Sequence, residues 1–314
     1  MAESLKIAVT TINYNSKENL RKLLKKIFNQ RLSRSSLREN KASLPVENLE
    51  VWMIDNDSPD KGGVELKKQF PKLNFIESKD NVGFAKGHNL ALKKIHADYI
   101  LIINPDVEIP DGAIADMVEF MEKNPDCGVS SSKLIYADGT VQSNGGDLPL
   151  GMPLLVWLFN LEMIPGLEKA LGNFHRTDLG YYKSPHQVGW VGGTFMFLRR
   201  EILEKVGFLP EEYFMYFEDT DFCYQVQKKG YKVMINPEVT IKHFGGASSN
   251  DPKFAQFKGE AVGLEIFYQK YFNKLEVMMI KLLLLISVAF RIIAFAIAGK
   301  PAVAKIYWRV LPYV

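Results

Sequence analysis

The sequence has little cysteine: two residues in 314, Cys127 and Cys223, far apart and outside any C-x-x-C spacing. Neither a disulfide framework nor a zinc site is indicated, and a reducing compartment is the expected home. The opening MAESLKIAVT lacks the basic start and long apolar core of a signal peptide, so the chain is expected to stay in the cytosol. No internal repeat is present. No long unbroken apolar run occurs either: within the greasy stretch 277–299, Lys281 and Arg291 leave only 282–290 uninterrupted, too short to cross a bilayer.

What is present is enough apolar sequence for a large core, 47% hydrophobic against 24% charged. This fits one large domain with an appendage, divided here as 1–270 and 271–314. Net charge is +3, but residues 17–41 hold nine Lys/Arg and two acids, and residues 270–314 hold seven Lys/Arg and one acid. The rest of the chain is therefore acidic. A nucleic-acid binder carries its basic stripe over the functional face, so nucleic acid is not expected, and anionic lipid is the better partner for the two basic segments. For 17–41 the plain alternative is the solvated face of a helix.

The first half alternates strand and helix. LKIAVTTINYN reads as a strand, and the next stretch places Leu20, Leu23, Leu24, Ile27 and Phe28 at helical spacing behind Ser16, a plausible N-cap. LEVWMIDNDS, LNFIES and DYILIINPD read as further strands, with AKGHNLALKKI a helix between the last two. Short connections in this rhythm predict a mostly parallel, right-handed sheet flanked by helices, with ligands beyond the carboxyl ends of the strands. Polar clusters fall at three of those ends, 13–15, 55–57 and 104–106. Each alone would be a turn; together they predict a site. Residues 143–189, rich in Gly, Pro and aromatics, read as an irregular insertion or flexible acceptor-side loop.

Asp106 follows a buried strand and a proline turn, a placement suited to holding a hard cation against a diphosphate, although Asn104 two residues earlier makes that clamp half neutral. Asp55 is suited to accept hydrogen bonds from a base or ribose. Gly83 and Gly87 precede a helix but match neither common phosphate-loop pattern. FMYFEDTDF places Glu218, Asp219 and Asp221 among aromatics that would raise a carboxylate pKa and stack on a sugar. Asp221 is also suited to the positive start of a helix.

NYN (13–15), IDNDSPD (54–60), DNVGFAKGHNLAL (80–92), INPDVEI (103–109), GWVGGTFMFLRRE (189–201), FMYFEDTDFCYQVQKKGYK (214–232) and IKHFGGAS (241–248) together resemble family 2 glycosyltransferases of the rhamnosyltransferase-like branch over residues 5–250. The resemblance implies a GT-A fold, a nucleotide-diphosphate sugar donor such as dTDP-rhamnose, and transfer with inversion. It makes Asp219 the general base with Glu218 as an acceptor-side partner. Asp106 and His243 become the ligands of Mg²⁺ or Mn²⁺. The donor contacts it implies are Thr11, Asn13, Tyr14, Asp55, Asn81, Gly83, Asn89, Asn104 and Gly193. A catalytically silent nucleotide-sugar-binding or scaffold subunit is the alternative, for which Asn104 is the hint.

The apolar tail is read as a helix lying in the membrane interface with Lys281 and Arg291 snorkelling; a short spanning helix and an oligomer contact are the alternatives. A lipid-linked or polysaccharide acceptor at the cytoplasmic face of the membrane would give that anchor a purpose.

Overall fold

The structure is a computed structural model and describes residues 5–29, 48–245 and 251–314. The basic residues 30–41 and the end of the IKHFGGAS motif, 246–248, lie outside the described residues. The first half runs β1 (Lys6–Asn13), α1 (Lys17–Phe28), β2 (Asn48–Asp55), α2 (Gly62–Gln69), β3 (Asn74–Glu77), α3 (Phe84–Leu92), β4 (Tyr99–Ile103), β5 (Val107–Glu108), α4 (Ala113–Lys123) and β6 (Cys127–Ile135). The β-α-β rhythm is as expected from sequence. Ser16 stands at the N-cap position of α1, but its hydroxyl donates to Tyr14 O at 3.0 Å rather than capping the helix.

The second half runs β7 (Val141–Gln142), β8 (Gly145–Gly146), α5 (Gly151–Leu158), α6 (Leu167–Leu171), β9 (His186–Gln187), β10 (Trp190–Val191), β11 (Phe195–Arg199), α7 (Arg200–Lys205), α8 (Glu218–Lys228) and β12 (Lys232–His243). Three helices follow: α9 (Pro252–Tyr271), α10 (Lys274–Ile297) and α11 (Pro301–Val310). The main sheet has the order β3-β2-β1-β4-β11-β6-β12-β5. β3, β2, β1 and β4 are mutually parallel; β11 is antiparallel to both β4 and β6; β12 is parallel to β6. Two antiparallel steps restore direction, so β4, β6 and β12 all present their carboxyl ends at the same edge as β1 and β2.

Alternation along each strand divides the core between the two sheet faces. Ile7, Val9, Val51, Met53, Leu101 and Ile103 face α1, α2 and α4. Ala8, Ile54, Ile100 and Ile102 face α3, α8 and α9. Strands buried on both faces need near-continuous apolar sequence, which YILII in β4 supplies.

Parts of the irregular 143–189 segment pack into the core. Trp157 and Leu158 of α5 are buried, and Phe174 stacks on Trp190 at 4.7 Å and on Phe217 at 5.4 Å. Trp190, whose indole N–H donates to Phe174 O at 2.8 Å, is a core residue rather than a pocket wall.

Arg291 of the tail does not snorkel. Arg291 is buried, with Nε on Leu158 O at 2.9 Å and its remaining nitrogens on Trp157 O and the Tyr307 hydroxyl. Lys281 pairs with Glu265 of α9 at 2.6 Å.

Candidate active site

At the carboxyl ends of β1 and β2 the polar residues form a closed set of contacts. Asn13, fully buried at the end of β1, donates to Asp55 Oδ2 at 2.8 Å and Ser58 Oγ at 2.9 Å. Ser58 N–H donates to Asp55 Oδ1 at 2.8 Å. Each oxygen of the carboxylate keeps a second lone pair, so the network fixes Asp55 without exhausting it. Gly63 in the first turn of α2 is required here, since a Cβ there would lie 2.0 Å from Asp55 Oδ2. Tyr14 is partly exposed just beyond, whereas Thr11 is fully buried within β1 with no hydrogen bond to its hydroxyl.

Asn56 organises the next loop. Its Nδ2 donates to Asn81 Oδ1 at 2.9 Å and Gly83 O at 3.1 Å, and its Oδ1 accepts from Val82 N at 3.1 Å. Gly83 is at φ +84°, and a Cβ there would sit 2.2 Å from Phe214 O. That same carbonyl accepts from Phe84 N at 2.8 Å. The start of α3 is therefore joined to the chain leading into Glu218 through its first N–H, that of Phe84. Asn89 is a correction: its Nδ2 donates to Leu209 O and Glu211 Oε1, both at 2.9 Å, and its Oδ1 accepts from Leu209 N at 3.2 Å. Both amide hydrogens are spent on holding the 209–211 segment, so Asn89 has none to offer a donor sugar.

At the end of β4, Asn104 N–H donates to Thr194 O at 3.0 Å and its side chain to Thr194 Oγ1 at 3.4 Å. The Gly192-Gly193 break between β10 and β11 lets Gly193 N–H donate to Asp219 Oδ2 at 3.0 Å, and a Cβ on Gly193 would strike the Phe84 ring at 2.7 Å. Asp219 Oδ1 accepts from Thr220 N at 2.7 Å. Asp219 is partly exposed, whereas Glu218 is buried and its Oε2 has no hydrogen-bond partner. Burial, then the neighbouring Asp219 charge, pushes Glu218 well above its ordinary 4.5. Burial also raises Asp219 above 3.8, opposed by the Gly193 and Thr220 hydrogen bonds. Both carboxyls are thus shifted towards the neutral form, Glu218 by burial and the neighbouring Asp219, and Asp219 by burial against the Gly193 and Thr220 hydrogen bonds.

The turn before this pair is strained. Tyr216 and Phe217, neither of them glycine, are both left-handed at φ +71° and +74°, at a cost of about 1–3 kcal/mol each. Helix α9 holds them there. A Cβ on Gly259 would fall 2.4 Å from the Tyr216 ring, and one on Gly263 would fall 2.5 Å from Phe217 Cβ. The same helix grips the other end of the turn. Asp221, expected as a helix-start charge, is fully buried and accepts from Lys270 Nζ at 2.8 Å, Tyr271 OH at 2.5 Å and Tyr213 OH at 2.9 Å. Replacing Gly263 with Ala gains about 0.5–1 kcal/mol of helix propensity, but the clash lies next to the Phe217 backbone and overpacking costs about 1–3 kcal/mol. The variant is predicted to melt lower and to lose kcat at unchanged donor KM; adding Phe217→Gly, which removes the left-handed penalty but empties a buried ring site against Phe174, is predicted to lower stability further. Calorimetry and steady-state kinetics on both proteins check this.

At the far end, β12 pairs with β5 so that His243 lies opposite Val107. His243 Nε2 is 3.2 Å from Asp106 Oδ1, and its Nδ1 is 3.0 Å from Gln142 Oε1. Imidazole nitrogen and carboxylate oxygen at this spacing are a donor pair that fits a divalent cation, and the Gln142 contact fixes the ring as an outer partner does in metal sites. Among the described residues no group of three or more His, Cys, Asp or Glu converges, so the protein would supply two ligands and a bound diphosphate and water the rest.

Asn56, Gln142 and the Gly259/Gly263 pair were not singled out from sequence. Asn56 had a local signal, standing next to Asp55 in a strand-end cluster; the others act across 101 residues or from a helix face and had none.

The mixed sheet, the polar edge at its carboxyl ends and the acid pair beyond it define a GT-A fold. The sequence model of Glycosyl transferase family 2 matches residues 8–207, and the chain belongs to that family. It is similar to the low-salt glycan biosynthesis hexosyltransferase of Haloferax volcanii, 21% identical over 72% of this chain and 63% of that protein. It also resembles the N-acetylglucosaminyl-diphospho-decaprenol L-rhamnosyltransferase of Mycobacterium tuberculosis, 24% identical over 64% of this chain and 69% of that one. The chain thus spans about two thirds of these relatives. Among solved structures, the Pyrobaculum calidifontis mannosyltransferase in complex with GDP-Man and Mn²⁺ matches with a TM-score of 0.57 at 18% identity, covering 97% of this chain and 79% of that one. S. aureus TarS in complex with UDP-GlcNAc matches at 0.51 and 14%, covering 98% and 91%.

Proposed function

We propose that this chain is an inverting glycosyltransferase that moves rhamnose from dTDP-rhamnose onto a lipid-linked glycan intermediate. The observation that carries the transferase reading is Asp219: a partly exposed carboxylate, fixed by Gly193 N–H at the strand edge and next to the buried Glu218. The mycobacterial relative, named for rhamnosyl transfer to a diphospho-decaprenol carrier, supports the choice of sugar and acceptor.

In this reading the nucleoside lies against Asn13, Tyr14 and Asp55. Asn81 and Gly83, locked by Asn56, shape the floor next to the diphosphate. The acceptor hydroxyl gives its proton to Asp219 as its oxygen attacks the anomeric carbon from the face opposite the leaving group. The bond from that carbon to the diphosphate breaks, and its electron pair leaves with the nucleoside diphosphate. Asp106 and His243 would hold a divalent cation, Mg²⁺ or Mn²⁺, which would supply positive charge for that leaving group. The Pyrobaculum neighbour, solved with GDP-Man and Mn²⁺, supports this assignment.

The test is a panel of nucleotide sugars with a polyprenyl-diphosphate glycan acceptor, read as nucleoside diphosphate release and product mass. dTDP-rhamnose is expected to turn over fastest, and only with the cation and acceptor present. Faster turnover of another donor removes rhamnose. Tight donor binding with no turnover of any donor points to the silent subunit instead.

A further inference from the structure

Helix α10 carries an apolar face that nothing in the described structure covers. Leu275, Met279, Leu282, Ile286, Ile293 and Ile297 recur at spacings of three, four and seven, and all are exposed, Ile297 at 83%. That face runs the full 24 residues, about 36 Å at the helical rise. The opposite face, with Ile280, Leu284, Ser287, Val288 and Arg291, is buried against the body. By length and composition alone α10 could cross a membrane, with a mean hydropathy of 2.4 in its most apolar window.

Arg291 decides against crossing. Its guanidinium is bonded to Trp157 O, Leu158 O and Tyr307 OH, so a helix that left the body to enter a bilayer would carry a stripped cation into hydrocarbon. The ends of α10 point to the same answer. Phe272 and Asn273 join it to α9 and Gly299 to α11, and both of those helices pack on α10 at the body side. Cations flank the apolar face: Lys274 at its start, Lys300 and Lys305 beyond its end, beside Trp308, which is 64% exposed. Residues 270–314 hold seven Lys/Arg and one acid.

We infer that this face of α10 lies in the plane of a bilayer rich in anionic phospholipid, with the apolar row among the acyl chains and the flanking lysines at the headgroups. Arg291 is the fastener that keeps α10 on the catalytic body while its outer face is in lipid. The occupant is argued from charge complementarity: a second copy of this chain would bring a second set of the same cations to the interface. The inference does not depend on the donor or acceptor assigned above.

The experiment is co-sedimentation of the full chain with vesicles of phosphatidylcholine alone and with about 30% phosphatidylglycerol. Binding is expected on the anionic vesicles and is expected to weaken with salt. Leu282→Glu with Ile286→Glu is expected to weaken it more than about tenfold, leaving the melting temperature and nucleoside diphosphate release unchanged. Lys300→Glu with Lys305→Glu is expected to weaken binding on anionic vesicles only. An impermeant maleimide added outside the vesicles is expected to label Lys274→Cys and Lys300→Cys equally, since Cys127 and Cys223 are buried. Failure of the parent to bind anionic vesicles overturns the inference, and so does protection of one of the two introduced cysteines. Light scattering that shows a dimer split by the Leu282→Glu/Ile286→Glu change, without vesicle binding, assigns the face to a second copy.

Discussion

Asp219→Asn is expected to lower kcat by about two to four orders of magnitude, the usual contribution of a positioned base, while donor KM stays within a few fold. Glu218→Gln is expected to keep most of the activity, because burial favours the neutral acid and the amide mimics it. The contrast follows from exposure and partners. Glu218 is enclosed with Oε2 unpaired, so ionising it would leave a bare charge; Asp219 has backbone N–H donors on both oxygens and a path to solvent. Rate profiles sharpen the test. Because burial raises Asp219 above 3.8, its acid limb should lie above that of a free aspartate. Equal losses in the two variants would sink the division of roles.

The same pair gives a stability prediction with a definite sign. The folded protein binds more protons than the unfolded chain between the ordinary 4.5 of Glu218 and its higher folded value. Stability is therefore full below that window and falls as pH rises through it. Glu218→Gln should flatten this slope in denaturant melts, and a parent whose stability rises with pH across the window would contradict it.

Asp106→Ala is expected to be the second most damaging change, lowering turnover by about two to three orders of magnitude, on the scale of losing one element of charge stabilisation at a leaving group. Binding of Mn²⁺ in the presence of nucleoside diphosphate, followed by electron paramagnetic resonance, should weaken in parallel. His243→Ala should act in the same direction. Gln142→Ala leaves both proposed ligands in place and removes only the contact that orients the ring; it should weaken Mn²⁺ binding by about 10–100-fold. If Asp106→Ala loses activity with Mn²⁺ binding unchanged, Asp106 acts on the donor directly and the cation reading fails.

Much of this was legible in the chain. The alternation of strand and helix through β4, the sheet edge at 13, 55 and 104, and the acid pair at 218 and 219 follow from local patterning: period-two strands, helical spacing, and polar residues where buried strands stop. Asn81 and Asn89 read alike in sequence because both sit in one short motif; only the fold shows that Asn81 bonds to Asn56 while Asn89 holds the 209–211 segment. The 143–189 insertion read as loose because its aromatics have no period; they pack because Trp157, Phe174, Trp190 and Phe217 arrive from four separate segments.

The sequence by itself determined which residues could carry charge, where the strands end and that α10 is greasy. The tertiary structure alone decided that Glu218 is enclosed while Asp219 is fixed by backbone N–H groups, which glycines hold the strained turn, and that Arg291 faces the protein rather than the lipid. Those properties depend on burial and on partners brought from distant parts of the chain, and neither is encoded at the residue's own position.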